Sequence, residues 1–372
     1  MVYPVFAQAA CEIDFLQRRQ DSASKFNYMQ IQSSHILVYR TDNIGDVILT
    51  LPMIAKLKQI FPQTKISVLC RAYAAPVVRY CTDVDEVIEL ESITGSVKDF
   101  LKQSDIDTVI VAQPDRALTK SSFSARIKHR IGNARQKLYL LFYCNRRVRF
   151  SKGLSDDHEA QINFNFLRPY GITAIPDRSE IPSLYHFNIP VDSDINQQFS
   201  SYAFNLVCHT KSNGHGREWP IGHYQQLAQL LIAQPGTHMW LTGSAKEGKW
   251  LEENAQELLS LPNVTNVCGT QSLAQLTAFI HQADGLIASG TGPLHVSAAI
   301  GQRTLGLFPP TRPMHPGRWA ALGTRAENLW IEDGCPGCRK IETPSCACMQ
   351  RITPEAVHKT VSAWIKDKSI SN

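Results

Sequence analysis

The chain has 372 residues, 43% of them hydrophobic and 19% charged, with a formal net charge of +5. That is about two domains at roughly 150 residues each, with the composition of an ordinary soluble globular protein. No uninterrupted apolar run approaches the roughly 18 residues that span a bilayer, so contact with a membrane is expected to be peripheral.

The opening MVYPVFAQAAC ends in small residues but lacks a basic n-region and is short for a signal-peptide core, so it is not read as a signal peptide. Residues 1–34 form a polar, pattern-poor arm, unless translation starts at Met29. The first strong pattern is the strand Ile36–Arg40. Val47, Ile48, Leu51, Ile54, Leu57 and Ile60 then recur at three- and four-residue steps and predict one helix, with Pro52 in its early part. Lys65–Cys70 reads as a strand, Ala74–Tyr80 as a helix, and Val84–Leu90 and Thr108–Ala112 as two further strands. This succession predicts a parallel sheet covered by helices over residues 35–175.

A stretch with Pro176, Pro182 and Pro190 and little periodicity places a linker at 176–200. A second unit, 201–345, has a strand at Phe204–His209, a helix near His223–Ala233, a strand at His238–Thr242 and a helix near Lys246–Leu259. A C-terminal helix is expected within 346–372. The fold class is therefore α/β, with two Rossmann-like doubly wound domains whose strand C-terminal loops face a common cleft.

The most informative segment is Asp284–Phe308, DGLIASGTGPLHVSAAIGQRTLGLF: strand, short loop, helix, strand. Gly290 and Gly292 let backbone N–H groups approach a ligand, Pro293 suits a first helical turn, and a helix N-terminus favours negative charge. A diphosphate fits such a loop; a plain βαβ turn is the alternative. GxGxxG with its acidic partner and GxxxxGK[ST] are both absent, which disfavours NAD enzymes and P-loop NTPases. After the strand ending at His209, Thr210 and Ser212 can donate to phosphate oxygens, while Lys211 and Arg217 offer cations. Thr291 lies in the loop, and His295, in the first helical turn, is either a phosphate donor or a packing histidine.

In the first unit, Asp46 follows Gly45 at a helix start on the strand C-terminal edge. There it serves either as a helix cap or as a general base kept ionised by the helix N-terminus, by roughly 0.3–1 kcal/mol. Asp83-Val84-Asp85 and Asp105-Ile106-Asp107 mimic Asp-x-Asp metal motifs but read as turn chemistry beside strands. Cys335, Cys338, Cys346 and Cys348 are spaced for one structural metal, a reduced loop or a disulfide; the other cysteines suit reduced cores in a cytoplasmic protein. From Arg116 through Lys152 there is no acidic residue, and Arg126, Arg130 and their basic neighbours form either a face for an acidic partner or a plain solvated face. Nucleic acid is not expected, because aromatic interleaving is sparse.

The motifs RTDNIGDVILTLP, RIG at Arg130–Gly132, HEAQINFNFLRPYGI, REWP, ASGTGPLHVSAAIG and LFPPT together resemble the bacterial heptosyltransferases of glycosyltransferase family 9. The resemblance covers about Ile36–Val361. It implies a GT-B fold, with an acceptor cleft in the first domain and an ADP-sugar site in the second. It further implies inverting transfer of heptose to the lipopolysaccharide inner core without a catalytic metal. The partners implied are an ADP-sugar donor and an acidic glycolipid acceptor, met in transient contact with the cytoplasmic face of the inner membrane. By this resemblance Asp46 matches the catalytic aspartate, Arg217 falls where a phosphate-binding lysine is common, and Thr291, Gly292 and His295 match the nucleotide loop. Many members carry Asp-Thr-Gly or Asp-Ser-Gly where this chain has Gly290-Thr291-Gly292. A different nucleotide sugar on the same fold, or a non-catalytic nucleotide- or glycolipid-binding module, is the alternative.

Overall fold

The computed structural model describes residues 31–152, 155–212, 214, 216–312, 314–333 and 346–371. The arm up to residue 30 and the cysteines at 335 and 338 lie outside them. Six strands form the first sheet: β1 (His35–Tyr39), β2 (Lys65–Cys70), β3 (Glu86–Glu89), β4 (Thr108–Val111), β5 (His129–Asn133) and β6 (Arg146–Val148). Their order is β3-β2-β1-β4-β5-β6, and every pairing is parallel. The second sheet uses β7 (Phe204–His209), β8 (Thr237–Thr242), β9 (Val264–Asn266), β10 (Gly285–Ser289), β11 (Thr304–Phe308) and β12 (Ala326–Trp330). Its order, β12-β11-β10-β7-β8-β9, repeats the topology of the first, again all parallel. The architecture is GT-B: two doubly wound sheets, each with one reversal of strand order.

The central strands read as unbroken apolar runs because helices cover both faces of a parallel sheet. β1, β4, β10 and β11 are buried along their whole length. Edge strands behave differently. β6 is only three residues, Arg146-Arg147-Val148, paired on one side, and such short, charged edges escape a search for apolar runs while guarding against edge-to-edge pairing.

The single helix expected from Val47 to Ile60 is two, Ile44–Ile48 and Leu51–Ile60. Pro52 has no N–H to donate to the preceding turn, so the helix restarts there with the proline in its first turn. The break leaves Ile44–Ile48 as a separate stub directly after β1, and this stub carries Gly45 and Asp46. The helix expected from Lys246 to Leu259 is likewise divided, into Ala245–Asn254 and Gln256–Leu259.

The C-terminal helix, Pro354–Ser371, packs on the helix Ile221–Ile232 and buries Trp364 against Gly285, where any Cβ would stand 2.8 Å from the indole. The indole of Trp219 donates to the Ile352 carbonyl at 2.7 Å, fixing the entry to that helix. Among the described residues, no helix is long and apolar enough to cross a membrane.

Candidate active site

In an open α/β sheet, ligands bind outside the strand C-terminal ends where the strand order reverses. The reversal falls between β1 and β4 in the first sheet and between β7 and β10 in the second. The loops after β1, β7 and β10 therefore converge. Between them lies a cavity of about 630 Å³ lined by Asn43–Asp46 and Tyr73 from the first half, and from the second by Ser212, Arg217, Gly290–Pro293, His295 and Arg318, among others.

The two halves interlock at backbone level. A Cβ on Gly292 would lie 2.3 Å from Cγ2 of Ile44, and one on Gly45 would lie 2.9 Å from Cδ2 of His295. Glycine at both positions allows the Asp46 stub to press against the 290–292 turn. Thr291 precedes the helix Gly292–Ala299 with extended backbone and makes no side-chain cap. Its Oγ1, with His295 Nδ1 and Arg318 Nε, is buried without a hydrogen-bond partner. Buried polar atoms are nearly always paired, so these atoms around the cavity mark it as a place for a polar ligand.

Asp46 lines the cavity and is 19% exposed. Its Oδ1 accepts from Arg40 Nη2 at 2.5 Å, while Arg40 Nε donates to Asp42 at 2.7 Å. The helix start was expected to favour the ionised form of Asp46 by a small margin, and larger effects act on it here. Burial, together with the carboxylates Asp42 and Glu159, outweighs Arg40 and Lys152 and raises its pKa to about 6. Arg40 has to be shared among three carboxylates, so none is neutralised completely. A carboxylate with a pKa near 6 is ionised at neutral pH yet basic enough to take a proton.

Ser212, Arg217, Gly290, Thr291, Gly292 and His295 all line the cavity. Two neighbours do not. Lys211 turns away, pairing with Glu218 at 2.6 Å and lying 3.7 Å over the ring of Trp250, and Thr210 is buried behind the loop. His295 packs against Gly45 with its ring 4% exposed, and burial lowers its pKa to about 4, so it meets the cavity as a neutral imidazole, whose Nδ1 has no partner in the protein.

Arg126 and Arg130 are not part of the cavity wall. Arg126 is exposed, and the half-buried Arg130 donates to the carbonyls of Tyr143, at 2.7 Å, and Ile127. The acidic pairs are structural: Asp85 holds Lys58, and Asp105 and Asp107 hold His35 and Ser34.

Sequence reading missed Tyr73, Ser244, Glu247, Phe308, Arg318 and Trp319, all in the cavity wall. For Glu247 a signal existed: Ser244 and Glu247 form a capping box directly after the apolar strand β8. Arg318 lies in the one-turn helix Pro316–Trp319, too short to show periodicity, and nothing local reports where it points. Cys346 and Cys348 are buried in the core of the second half. The expected four-cysteine set extends into residues outside the described ones, and among the described residues no cluster of His, Cys, Asp and Glu is arranged to hold a metal ion.

Two doubly wound sheets with a shared cleft, a carboxylate on one wall and a glycine turn at a helix N-terminus on the other define a GT-B glycosyltransferase. The description glycosyltransferase family 9 (heptosyltransferase) matches residues 95–347. The chain belongs to that family. It is 28% identical over 305 residues to a putative glycosyltransferase of Haemophilus influenzae, covering 77% of this chain and 86% of that one. It is 24% identical over 302 residues to lipopolysaccharide heptosyltransferase 1 of Escherichia coli, covering 75% and 88%. The structure of E. coli ADP-heptose lipopolysaccharide heptosyltransferase II superposes with a TM-score of 0.70 at 21% identity, over 90% of this chain and 99% of that one.

The backbone contact between the halves gives a stability prediction. Gly292→Ala places a methyl group against Ile44 and is expected to cost about 1–3 kcal/mol. Ile44→Ala in the same chain should return most of that loss, which thermal denaturation of the single and double variants will measure.

Proposed function

We propose that the enzyme is an inverting transferase that moves heptose from an ADP-sugar to an acidic glycolipid, the inner core of lipopolysaccharide. The observation that carries this reading is Asp46 in one wall of the cavity, against the Gly290–Gly292 turn of the other. Asp46 takes the proton of an acceptor hydroxyl, whose oxygen attacks the anomeric carbon from the face opposite the leaving group. The bond from that carbon to the diphosphate oxygen breaks, and ADP departs. Arg217 and backbone N–H groups of the Thr291–Gly292 turn meet the charge that develops on the diphosphate, with the guanidinium able to grip it through two donors. No metal is needed in this scheme. The names of the relatives support the donor and acceptor classes, and the family membership supports the reaction type.

One observation favours keeping other nucleotide sugars in the test. A Cβ at Gly290 would lie 2.9 Å from Cε1 of Phe308, so an aromatic edge borders this turn where relatives resembling this chain commonly carry a carboxylate. UDP- and GDP-sugars therefore belong beside ADP-heptose in the donor panel.

The acceptor's lipid end has a candidate partner surface. Leu138, just before the helix Tyr139–Tyr143, and Phe142 within it are 71% and 69% exposed, and Leu140 anchors that helix in the core. Exposed Arg135, Lys137, Arg147 and Arg149 flank them. Apolar side chains rimmed by cations suit an anionic lipid surface. Leu138 follows β5, two strands from β1 and thus about 10 Å along the sheet at the usual strand spacing. Docking here would present the cleft to a membrane-borne acceptor on the cytoplasmic face of the inner membrane. Cys335, Cys338, Cys346 and Cys348 are retained as the set for a structural metal.

Three measurements test these assignments. Asp46→Asn should lower kcat by about 10²- to 10⁴-fold with ADP affinity retained, and the acid limb of the wild-type kcat/KM profile should fall near pH 6. Normal turnover by this variant rules out Asp46 as the base. Leu138→Asp with Phe142→Asp should abolish most binding to phosphatidylglycerol vesicles while sparing transfer to a water-soluble, deacylated acceptor. Elemental analysis of the purified chain should find about one metal per molecule, lost in Cys346→Ser; a metal-free wild type removes that assignment.

A further inference from the structure

Behind Asp46 lies a buried carboxylate that the reaction scheme above does not use. Glu159, 1% exposed, opens the helix Glu159–Asn163. Its two oxygens face different halves of the molecule. Oε1 accepts from Lys152 Nζ at 2.6 Å and lies 3.5 Å from Arg40 Nη2, both in the first half. Oε2 accepts from Arg318 Nη2 at 2.8 Å, in the second half. Arg40 is the guanidinium that holds Asp46, and Arg318 forms part of the cavity wall. Neighbouring contacts join the same two segments: His158 Nε2 donates to the Ala320 carbonyl at 3.0 Å, Arg178 donates to the Gly317 carbonyl at 2.7 Å, and Arg318 also donates to the Lys152 carbonyl.

We infer that Glu159 is a positioning residue that joins the proposed base to the cavity's second-half cation, holding Arg40 behind Asp46 with one oxygen and Arg318 at the wall with the other. The inference rests on the reading of the cleft as the active site. Its consequence is that Asp46 and Arg318 are aligned together only while the two halves are closed on each other. A carboxylate with a single cationic partner could be replaced by a neutral pair at little cost. One that meets three cations from two halves cannot be, because its loss leaves them buried beside one another. Burial works against the charge of Glu159, but Lys152, Arg40 and Arg318 together hold its pKa at about 2, so it stays anionic wherever Asp46 titrates.

The charges around Asp46 set the sign of the effect. Arg40 and Asp42 face it from the end of β1, Lys152 from the segment after β6 and Glu159 from its helix; His295, against Gly45 from the second half, is neutral. Tyr73 lines the same cavity and donates to the Asp42 carbonyl at 2.9 Å. Removing the charge of Glu159 takes away one repelling anion and leaves Arg40 less neutralised, so both changes lower the proton affinity of Asp46. Removing Lys152 takes away an attracting cation and raises it.

The test reads the Asp46 carboxyl directly, by carbon NMR titration of aspartate-labelled protein with Asp46→Asn providing the assignment, and reads ADP affinity by calorimetry. Neither measurement requires an acceptor or turnover. Glu159→Gln should lower the proton affinity of Asp46 about tenfold and weaken ADP binding about tenfold through the displaced Arg318. Lys152→Met should move the titration the opposite way. Glu159→Asp keeps the charge, and with it a near-native titration, but is too short to reach both halves. It should lower kcat by up to about 10²-fold and weaken ADP binding.

An unmoved Asp46 titration in Glu159→Gln overturns the inference. So does native ADP affinity and turnover in Glu159→Asp, which keeps the test decisive if the glutamine variant fails to fold. If Asp46→Asn still transfers sugar, the base assignment fails on its own, while the titration and ADP measurements still judge Glu159.

Discussion

The structure depends on one close approach, the backbone of Ile44–Gly45 against that of Gly292. At that distance a side chain on either glycine collides with the other half, so the strand-end loop of one sheet and the helix entry of the other share a single contact. The consequence is chemical as well as mechanical. Asp46 follows Gly45 directly, and the N–H groups of the 290–292 turn begin where Gly292 touches Ile44. A carboxylate and a helix N-terminus are thereby brought to opposite walls of one cavity without any long side chain bridging the distance. Proximity of this kind, fixed by backbone, is the least costly form of preorganisation, because little rotamer freedom remains to be lost when a ligand arrives.

Such a contact is stable only if the surrounding charges are balanced. Three carboxylates, Asp42, Asp46 and Glu159, gather around Arg40, and Lys152 and Arg318 supply the other positive charge. Arg40 is 2% exposed and could not be tolerated with fewer anions, since an unpaired buried guanidinium is strongly destabilising. Burial lowers its pKa, but the three carboxylates more than compensate and raise it above its ordinary value. The cluster also spans the two sheets, so electrostatics reinforces the same closure that the two glycines permit sterically.

The elements legible in the sequence were those governed by local chemistry. β1, β2, β4, β7, β8, β10 and β11 are central, buried on both faces and rich in branched residues, so they appear as apolar runs. β6, β9 and β12 do not, because these edge strands carry charge or are only three residues long, and β5, though paired on both sides, is interrupted by His129, Arg130 and Asn133. The site divides the same way. Asp46, Arg217 and the Gly290–Gly292 turn stand next to the glycines and strand ends that position them. Lys211 looked equivalent to its neighbours, but its direction is decided by Glu218 and Trp250, one of which is distant in sequence. Arg40 was visible only as the last residue of a strand and Glu159 only as part of a motif. Their roles arise from contacts across 119 and 159 residues of chain, which no local pattern encodes.

The two buried carboxylates of the cluster contribute to stability with opposite signs. For Glu159 the native pKa lies below the ordinary value of 4.5, so its contribution is present above that value and is lost as pH falls towards 2. For Asp46 the native pKa lies above 3.8, so the fold favours the protonated form. That contribution is present in acid and is lost as pH rises through about 6. At neutral pH, therefore, Glu159 supports the fold, whereas the ionised Asp46 strains it. Environments that push two neighbouring carboxyl groups apart in this way assign them different tasks, one to hold charge and the other to exchange a proton. The stability given up at Asp46 is what would make it a competent base in the proposed reaction, and the anion at Glu159 contributes to that strain while bridging the two halves around it.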